Sequence, residues 1–316
     1  MTSQESNSNH FRVPKVLYEN RYCNQEGFSV LVCGGKDKKY IRQVFGLKVP
    51  NFEVSEFPSM MFENYNLILV TIKSSIIAIG DTCILNNNID KSVSIEIYSK
   101  KSKIWTHQYV GFDERDCYCV CSFMSELYVI GGCLREDDVP LDSCHCYNIN
   151  CNTWYQIANL NEERYSASCT VFEGKIVVTG GFNYDHSIVK SAETYDYYEN
   201  KWCSFPDMIE NRVYHTTVSM GNKLFVIGGF LSRRCEVFDS HSRQFTEMKS
   251  HLKVPNMRSK NFKAVGIGYY IVVFHSLSSD DETTITMYSV CENKWSTIKC
   301  DFTKNLFDYS IVKFYI

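Results

Sequence analysis

Short apolar runs recur along the chain at nearly equal intervals. Each run is rich in β-branched or aromatic residues and ends in small or turn-forming residues, which is typical of a buried strand that leads into a turn. Six such segments align without gaps, and their starts are separated by 46, 51, 49, 48 and 46 residues. They are FSVLVCGG (28–35), SSIIAIGD (74–81), SELYVIGG (125–132), GKIVVTGG (174–181), NKLFVIGG (222–229) and GYYIVVFH (268–275). This period predicts six copies of one structural unit.

Each apolar run is followed by two aromatic residues seven positions apart. All four tryptophans hold the second position of such a pair, in Tyr98–Trp105, Tyr147–Trp154, Tyr195–Trp202 and Tyr288–Trp295, and the pairs Phe45–Phe52 and Phe238–Phe245 keep the spacing. Turn-forming residues separate the two members, as in DYYEN of the fourth repeat. A strand, a turn and a returning strand bring both rings into one layer. We therefore expect these aromatic pairs to pack between neighbouring units.

A third mark of the repeat lies sixteen residues before the first residue of the glycine pair. Arginine holds it in four repeats, as Arg115, Arg164, Arg212 and Arg258, and Asn64 holds it in the second. Alternating stretches such as YSASCTVF and YHTTVSM follow this position, and they predict a further strand. The unit is therefore an alternating strand, the glycine-terminated strand, the tyrosine strand and the tryptophan strand.

A four-stranded unit of this length cannot bury both of its faces alone. Repetition around a central axis packs neighbouring sheets face to face and leaves only short edges. The sequence thus predicts an all-β fold, a six-bladed β-propeller with four antiparallel strands per blade. An elongated solenoid is the alternative, although solenoid repeats are usually shorter or helical.

The combination of strand, glycine pair, aromatic residue and tryptophan resembles the kelch repeat over residues 28–316. In kelch propellers the glycine pair ends the second strand of a blade, where glycine permits close backbone approach or a positive φ. Four repeats carry it, as Gly34–Gly35, Gly131–Gly132, Gly180–Gly181 and Gly228–Gly229. The second repeat has Gly80–Asp81 instead, and the sixth has Phe274–His275, which leaves the geometry of the sixth blade open.

The repeat register also predicts the domain organisation. Residues 1–27 are expected to be an N-terminal extension, and the propeller to span residues 28–316. Blade cores are predicted near 28–57, 64–109, 115–158, 164–206, 212–248 and 258–298. The polar stretch before Phe28 offers no alternating strand, so FDYSIVKFYI (307–316) is expected to supply the missing first strand of blade one, as C-terminal strands do in similar kelch propellers.

Composition excludes several classes of function. A net charge of −3 gives no global attraction to nucleic acid or to an anionic membrane. No apolar stretch is long enough to span a bilayer, and the polar start, the absence of a glycosylation sequon and the fifteen cysteines favour the cytosol or nucleus. The eight histidines show no recurring ligand spacing, unlike the ligand set that a kelch-type copper oxidase requires. We therefore predict no enzyme activity, no catalytic residues, no metal and no cofactor, with the closely spaced cysteines as small buried side chains.

Two interpretations of the repeated arginines stay open. They can bond to backbone carbonyls as part of the repeat, or converge on the channel mouth as a receptor for carboxylate or phosphate. The resemblance to kelch-like substrate receptors of cullin ubiquitin ligases implies that basic residues here contact acidic peptide motifs. The partner-binding residues that follow are Arg115, Arg164, Arg212 and Arg258, with Arg135, Tyr184 and Arg233 after the glycine pairs, and Tyr165 and Tyr214 after two arginines.

The function that these features favour is binding of a peptide or protein partner with acidic character on the loops of one face. The resemblance implies substrate recognition related to cullin-dependent ubiquitination. Such adaptors carry BTB and BACK domains before the propeller, and the residues before blade one are too few to form them. The chain is therefore expected to bind substrate without contacting a cullin directly, as a truncated adaptor would. Binding of actin or another cytoskeletal protein, and competition for substrates without delivery, are the alternatives.

Overall fold

The computed structural model describes residues 28–36, 42–49, 52–83, 93–109, 114–230, 232, 234–250, 262–276, 283–298 and 306–315. Within them, strands β1 to β26 form six four-stranded antiparallel sheets and one short two-stranded pair. This confirms the predicted six-bladed propeller with four strands per blade. In the described part of the chain, no helix is long and apolar enough to cross a membrane.

The strands follow one another blade by blade. Blade one is β1 (Phe28–Lys36), β2 (Val44–Lys48) and β3 (Glu53–Phe57) with the C-terminal β26 (Leu306–Tyr315); blade two is β4 (Glu63–Ile72), β5 (Ser75–Cys83), β6 (Val93–Ser99) and β7 (Ile104–Tyr109). Blade three is β9 (Cys119–Phe123), β10 (Glu126–Ile130), β12 (Cys144–Asn148) and β13 (Thr153–Ile157), joined by the pair β8 (Arg115–Asp116) and β11 (Cys133–Leu134). Blade four is β14 (Ser168–Phe172), β15 (Lys175–Thr179), β16 (Ala192–Asp196) and β17 (Lys201–Phe205). Blade five is β18 (Thr216–Met220), β19 (Lys223–Ile227), β20 (Glu236–Asp239) and β21 (Gln244–Glu247); blade six is β22 (Phe262–Ile267), β23 (Tyr270–Ser276), β24 (Thr283–Ser289) and β25 (Lys294–Ile298).

The blades close into a ring around their innermost strands. Strand β26 contacts β4, and the series continues through β9, β14, β18 and β22 back to β26. Six hydrophobic clusters fill the gaps, each drawn from two neighbouring blades. A solenoid has two open ends, so this closed order excludes it.

Strand β10 shows how the sequence pattern produces this packing. Its five residues are all buried, although a half-exposed strand would alternate. Leu127 and Val129 pack into the cluster shared with blade two, whereas Tyr128 and Ile130 pack into the cluster shared with blade four. Because successive side chains point to opposite faces, one continuous apolar run supplies the cores of two interfaces.

The C-terminal strand closes blade one as predicted. It pairs antiparallel with β1 along its length, from Phe28 opposite Tyr315 to Lys36 opposite Leu306. Its side chains Tyr309 and Ile311 pack against blade six, and Phe314 packs against blade two.

In blade one, Phe45 lies opposite Glu56 and Phe52 precedes β3, so this aromatic pair does not face across the two strands. In the other five blades the two aromatic residues lie directly opposite each other on the third and fourth strands, as in Tyr195 opposite Trp202, where the ring centroids are 5.1 Å apart. Both rings pack into the cluster shared with the preceding blade. The Tyr195 hydroxyl donates to Oδ1 of Asn200 at 2.7 Å, and the Trp202 indole donates to the carbonyl of Ala158 in the preceding blade at 2.9 Å. The same two bonds recur in the sixth blade, which explains why the spacing is kept.

Backbone geometry accounts for glycine at the ends of the second strands in blades three to five. Gly131 has φ +58°, and a Cβ there would lie 2.4 Å from the carbonyl oxygen of Arg164 in the next blade. The neighbouring Gly132 N–H donates to that oxygen at 2.8 Å. Only glycine tolerates both the conformation and the approach.

The other three blades extend this strand instead of ending it. Strand β5 continues through Gly80–Asp81, β23 continues through Phe274–His275, and β1 continues with a bulge between Gly34 and Gly35. The sixth blade is therefore a regular four-stranded sheet in which the glycine pair is not needed.

Candidate functional site

The connections between strands leave the ring on two opposite faces. Because neighbouring strands are antiparallel, the turns from the first to the second strand and from the third to the fourth lie on one face, here called the hairpin face. Lys175 and Asp196, from two such turns of blade four, form an ion pair of 2.7 Å there. The loop face carries the connections from the second to the third strand and from one blade to the next. All described residues that the sequence nominated for partner binding lie in loop-face connections.

The arginines of the repeat are buried inside the blades. Arg115, Arg164 and Arg212 are 0%, 2% and 1% exposed. In each, Nη1 donates to the carbonyl of the residue sixteen positions later, namely Gly131 at 3.0 Å, Gly180 at 3.0 Å and Gly228 at 2.7 Å. The sixteen-residue spacing in the sequence therefore reflects a hydrogen bond from the arginine side chain to the backbone carbonyl of the first glycine of the pair.

Buried carboxylates complete the surroundings of two of these arginines. Nε of Arg164 lies 3.2 Å from Glu193, and Nη2 of Arg212 lies 2.7 Å from Glu236. Glu236 also accepts from the backbone N–H of Ile209 at 2.6 Å. These guanidinium groups face the interior and bond to internal acceptors, which a ligand would have to displace. Burial and these internal bonds favour the interpretation of Arg115, Arg164 and Arg212 as part of the scaffold, and partner contact by their side chains stays a prediction.

Arg135 is also engaged within the protein. Its Nη2 lies 2.5 Å from Asp81 of blade two and 3.0 Å from Asp116, and its side chain is 15% exposed. Burial raises the pKa of Asp81, and the charge and hydrogen bond of Arg135 oppose that rise. Asp81 stands where other blades have their second glycine, so this ion pair links blades two and three in place of a close backbone contact. Partner binding by Arg135 stays a prediction, and it would compete with these ion pairs.

Two further nominated residues, Arg233 and Arg258, lie outside the described residues. In the second blade, Asn64 takes the position of the arginine and donates from Nδ2 to Glu96 at 2.9 Å. A shorter amide thus replaces a guanidinium against the same kind of buried carboxylate.

The nominated tyrosines belong to a cluster of aromatic side chains on the loop face of blades four and five. The Tyr165 ring stacks on Phe182 with centroids 4.8 Å apart, and Phe182 meets Tyr214 edge to face at 6.2 Å. The Tyr165 hydroxyl lies 3.0 Å from Nδ1 of His186, and Tyr184 in the same connection is 64% exposed. We call these five residues the aromatic surface. A contiguous set of partly exposed rings of this kind marks an interaction site more often than scattered exposed residues do.

Phe182 and His186 were missed by the sequence reasoning. Phe182 directly follows the glycine pair of blade four and forms a two-residue bridge with Tyr165, while Phe230 holds the equivalent place in blade five and is 39% exposed. The signal available was an aromatic residue directly after a glycine pair, on the face that the register had already identified.

Backbone hydrogen bonds between blades hold this surface in place. Cys117, Ser166 and Tyr214 each lie two residues after an arginine of the repeat, and all three have φ between +53° and +55°. The N–H of Ser166 donates to the carbonyl of Cys117 at 2.8 Å, and that of Tyr214 donates to Ser166 at 3.0 Å. The rings therefore project from a backbone fixed on both sides.

The described residues contain no group of three or more His, Cys, Asp or Glu side chains placed to hold a metal ion. Of the closely spaced cysteines, Cys119, Cys121, Cys144 and Cys146 pack between blades three and four, whereas Cys117 is exposed, which corrects the expectation that all of them are buried. Burial raises the pKa of Cys144 to about 12. A thiol with a raised pKa is a poor nucleophile and a poor ligand.

Acidification is expected to destabilise the propeller partly through two buried histidines. Burial and the nearby charge of Arg212 lower the pKa of His215 to about 3, and burial lowers that of His275 to about 4. Above pH 6.5 both histidines are neutral in the folded and in the unfolded chain, so they do not change the free energy of unfolding. As the pH falls from 6.5 toward 4, the unfolded chain binds these protons and the folded chain does not, so the free energy of unfolding decreases. At pH 5 each histidine accounts for about 2 kcal/mol of this loss.

Urea unfolding at pH 7 and pH 5 measures the effect. The difference between the two pH values should shrink by about 2 kcal/mol in His215→Gln. The exposed His241→Gln serves as the control and should keep the full difference. An unchanged difference in His215→Gln would contradict this account.

Comparison with known proteins agrees with the fold and its repeat. Residues 117–306 match the family described as the KLHDC2/KLHL20/DRC7 Kelch-repeats domain. The chain is 33% identical over 66 residues to Kelch-like protein 24 of Homo sapiens, covering 21% of this chain and 10% of that protein. It is 29% identical over 90 residues to Kelch-like protein 35 of Homo sapiens (28% and 14% covered), and 23% identical over 149 residues to F-box/kelch-repeat protein At1g67480 of Arabidopsis thaliana (47% and 38% covered). The match thus spans less than two fifths of the length of each of these relatives. Since the family match extends over more than half of the chain, the chain belongs to the KLHDC2/KLHL20/DRC7 Kelch-repeats domain family.

Proposed function

We propose that this Kelch-repeat propeller is a non-catalytic protein-interaction module whose loop face binds a segment of a partner protein. The observation that carries the proposal is the aromatic surface. Phe182 contacts both Tyr165 and Tyr214 there, and Tyr184 in the same connection as Phe182 is 64% exposed. Aromatic side chains lose little conformational entropy on binding and dominate the energetics of protein interfaces.

The proposed cellular role is substrate recognition in cullin-dependent ubiquitination. Relationship to Kelch-like proteins supports it, although these relatives are matched over only a small part of their length. In this role the propeller supplies recognition, and contact with the cullin comes from other components.

Affinity purification with matched variants tests the binding role. Tyr184→Ala removes an exposed ring from the loop face, whereas Tyr198→Ala removes an 84% exposed ring from the hairpin face. Both should leave the unfolding temperature unchanged because neither ring is buried. Partners should be lost in Tyr184→Ala, by about tenfold in recovered amount, and retained in Tyr198→Ala. Equal recovery with both variants would overturn the loop-face assignment.

The ubiquitination role needs a second measurement on a partner identified in this way. Raising the level of the intact chain in cells should increase the ubiquitination of that partner, and blocking cullin activation should abolish the increase. The Tyr184→Ala variant should give no increase. A partner that binds but whose ubiquitination falls would instead indicate a competitor that shelters it.

A further inference from the structure

We infer that the partner segment recognised on the loop face is cationic, carrying lysine or arginine side chains that lie between the aromatic surface and the carboxylates of blade three. The inference rests on the proposed function and adds to it the chemistry of the partner. The partner charge inferred here is opposite in sign to the acidic character that the arginines of the repeat suggested.

The loop face of blade three carries more exposed carboxylates than exposed cations. Residues 114–116 and 134–139 of blade three contain five carboxylates and two arginines. Arg115 is buried within the blade, and Arg135 is held by Asp81 and Asp116. Glu114 lies 3.7 Å from Nη1 of Arg135 and is 59% exposed. The loop residues Glu136, Asp137 and Asp138 are exposed as well. In this blade the surface therefore presents negative charge, while its positive charge is directed inward.

The cations of the neighbouring connections do not offset this charge. Arg164 and Arg212 are buried inside their blades. Lys190 of blade four lies 3.8 Å from Asp207, and Arg234 of blade five lies 3.1 Å from Glu247. Lys190 and Arg234 thus each have a carboxylate beside them, whereas Lys249, which follows β21 in the connection from blade five to blade six, is exposed.

The acidic loop and the aromatic surface are adjacent. Strand β8 of blade three leads into Cys117, whose carbonyl accepts the N–H of Ser166, the residue after Tyr165. Burial raises the pKa of the Tyr165 phenol, and Cys133, Tyr214 and the carboxylate of Asp138 raise it further. Strand β8 pairs with β11, which leads into the acidic loop, so this loop and the connection that carries Tyr165 are neighbours.

Carboxylates beside aromatic faces attract a lysine or arginine side chain in two ways. The ring faces attract the cation through their quadrupole, and the carboxylates form charge-assisted hydrogen bonds with it. The apolar stem of the same side chain packs on the rings. An acidic segment would meet like charge at Asp137 and Asp138, which disfavours it.

Selection from a displayed library of short random peptides tests the inference, with the intact chain immobilised as the target. Peptides recovered at physiological salt should be enriched in lysine and arginine. Their affinity is then measured by fluorescence anisotropy against Asp137→Asn/Asp138→Asn, which removes two charges but keeps the side-chain shape and suits the positive φ of Asp138. Affinity should fall about tenfold in this variant, and also in Tyr184→Ala. It should also weaken as salt is raised.

The matched control is Tyr198→Ala/Glu199→Gln, which removes one ring and one charge from the hairpin face and should leave affinity unchanged. The inference would be overturned by peptides that are acidic or uncharged, need Tyr184 for binding, and bind the asparagine variant as tightly as the unaltered chain. The proposed function would still stand in that case. Recovery of no peptide that depends on Tyr184 would overturn both.

Discussion

Removal of residues 306–315 is expected to abolish cooperative unfolding of the propeller. These residues form the innermost strand of blade one, and Tyr309, Ile311 and Phe314 are buried against two neighbouring blades. Truncation of one large buried apolar side chain costs about 2–5 kcal/mol, and a typical domain is stable by only about 5–15 kcal/mol. Loss of three such side chains together with the pairing to β1 therefore removes most of the stability. Thermal unfolding followed by circular dichroism should show no sharp transition.

Point variants in the same blade provide the comparison for this deletion. Ile311→Ala should lower stability by about 2–5 kcal/mol while the transition stays cooperative. The exposed Lys48→Ala should change it by less than about 0.5 kcal/mol. A deleted chain that unfolds at the temperature of the intact one would show that β26 does not hold the ring closed.

Arg212→Ala is expected to destabilise the protein by about 3–5 kcal/mol. The substitution leaves Glu236, which is 1% exposed, without its cation, and it removes the donor to the carbonyls of Gly228 and Arg234. Breaking a buried ion pair from one side costs more than the pair contributes, because a buried charge is left uncompensated. Urea unfolding measures the loss.

Arg234→Ala in the same blade is the matched control. Its side chain is 59% exposed and lies 3.1 Å from Glu247. Exposed ion pairs contribute at most about 1 kcal/mol, so the loss should be small. If Arg212→Ala instead kept its stability and lost a partner, the scaffold assignment would be wrong and the ligand role would be restored.

The fold could be predicted from the sequence because each sequence feature that specifies it extends over only a few residues and recurs in several repeats. Alternation in strands, glycine at turns and the fixed distance between Tyr195 and Trp202 all follow from strand geometry. The closing strand could be predicted because blade one had no alternating stretch of its own. The regular sixth blade could not, since nothing local shows that β23 runs on through Phe274–His275 without glycine.

The burial of the repeated arginines could not be predicted, for a physical reason. The register fixes where the Cα of Arg164 lies, yet a long flexible side chain at that point reaches either the channel mouth or its own blade. The choice is made by a buried partner, Glu193, which lies on a strand 29 residues further on. The sixteen-residue spacing corresponds to the hydrogen bond that Nη1 of Arg164 donates to the carbonyl of Gly180.

Tyr165, Tyr184 and Tyr214 all lie in loop-face connections, and their role in partner binding stays a prediction. Their assembly into one surface depends on Phe182, which stacks on Tyr165 across a bridge between two connections. Such contacts join segments that lie at different positions of the repeat, so the repeat period alone does not predict these contacts.

The pairing of β1 with β26 also has a consequence for folding during synthesis. Blade one joins strands that begin at residues 28 and 306, so its sheet cannot be completed until residues 306–315 have left the ribosome. At about 5–20 residues per second, the inner edge of β1 waits roughly 14 to 56 seconds for its partner. Unpaired, apolar strand edges are sites of misassociation. The nascent propeller therefore passes through a long open-ring stage in which blades two to six can form first and protection of β1 by a chaperone matters most.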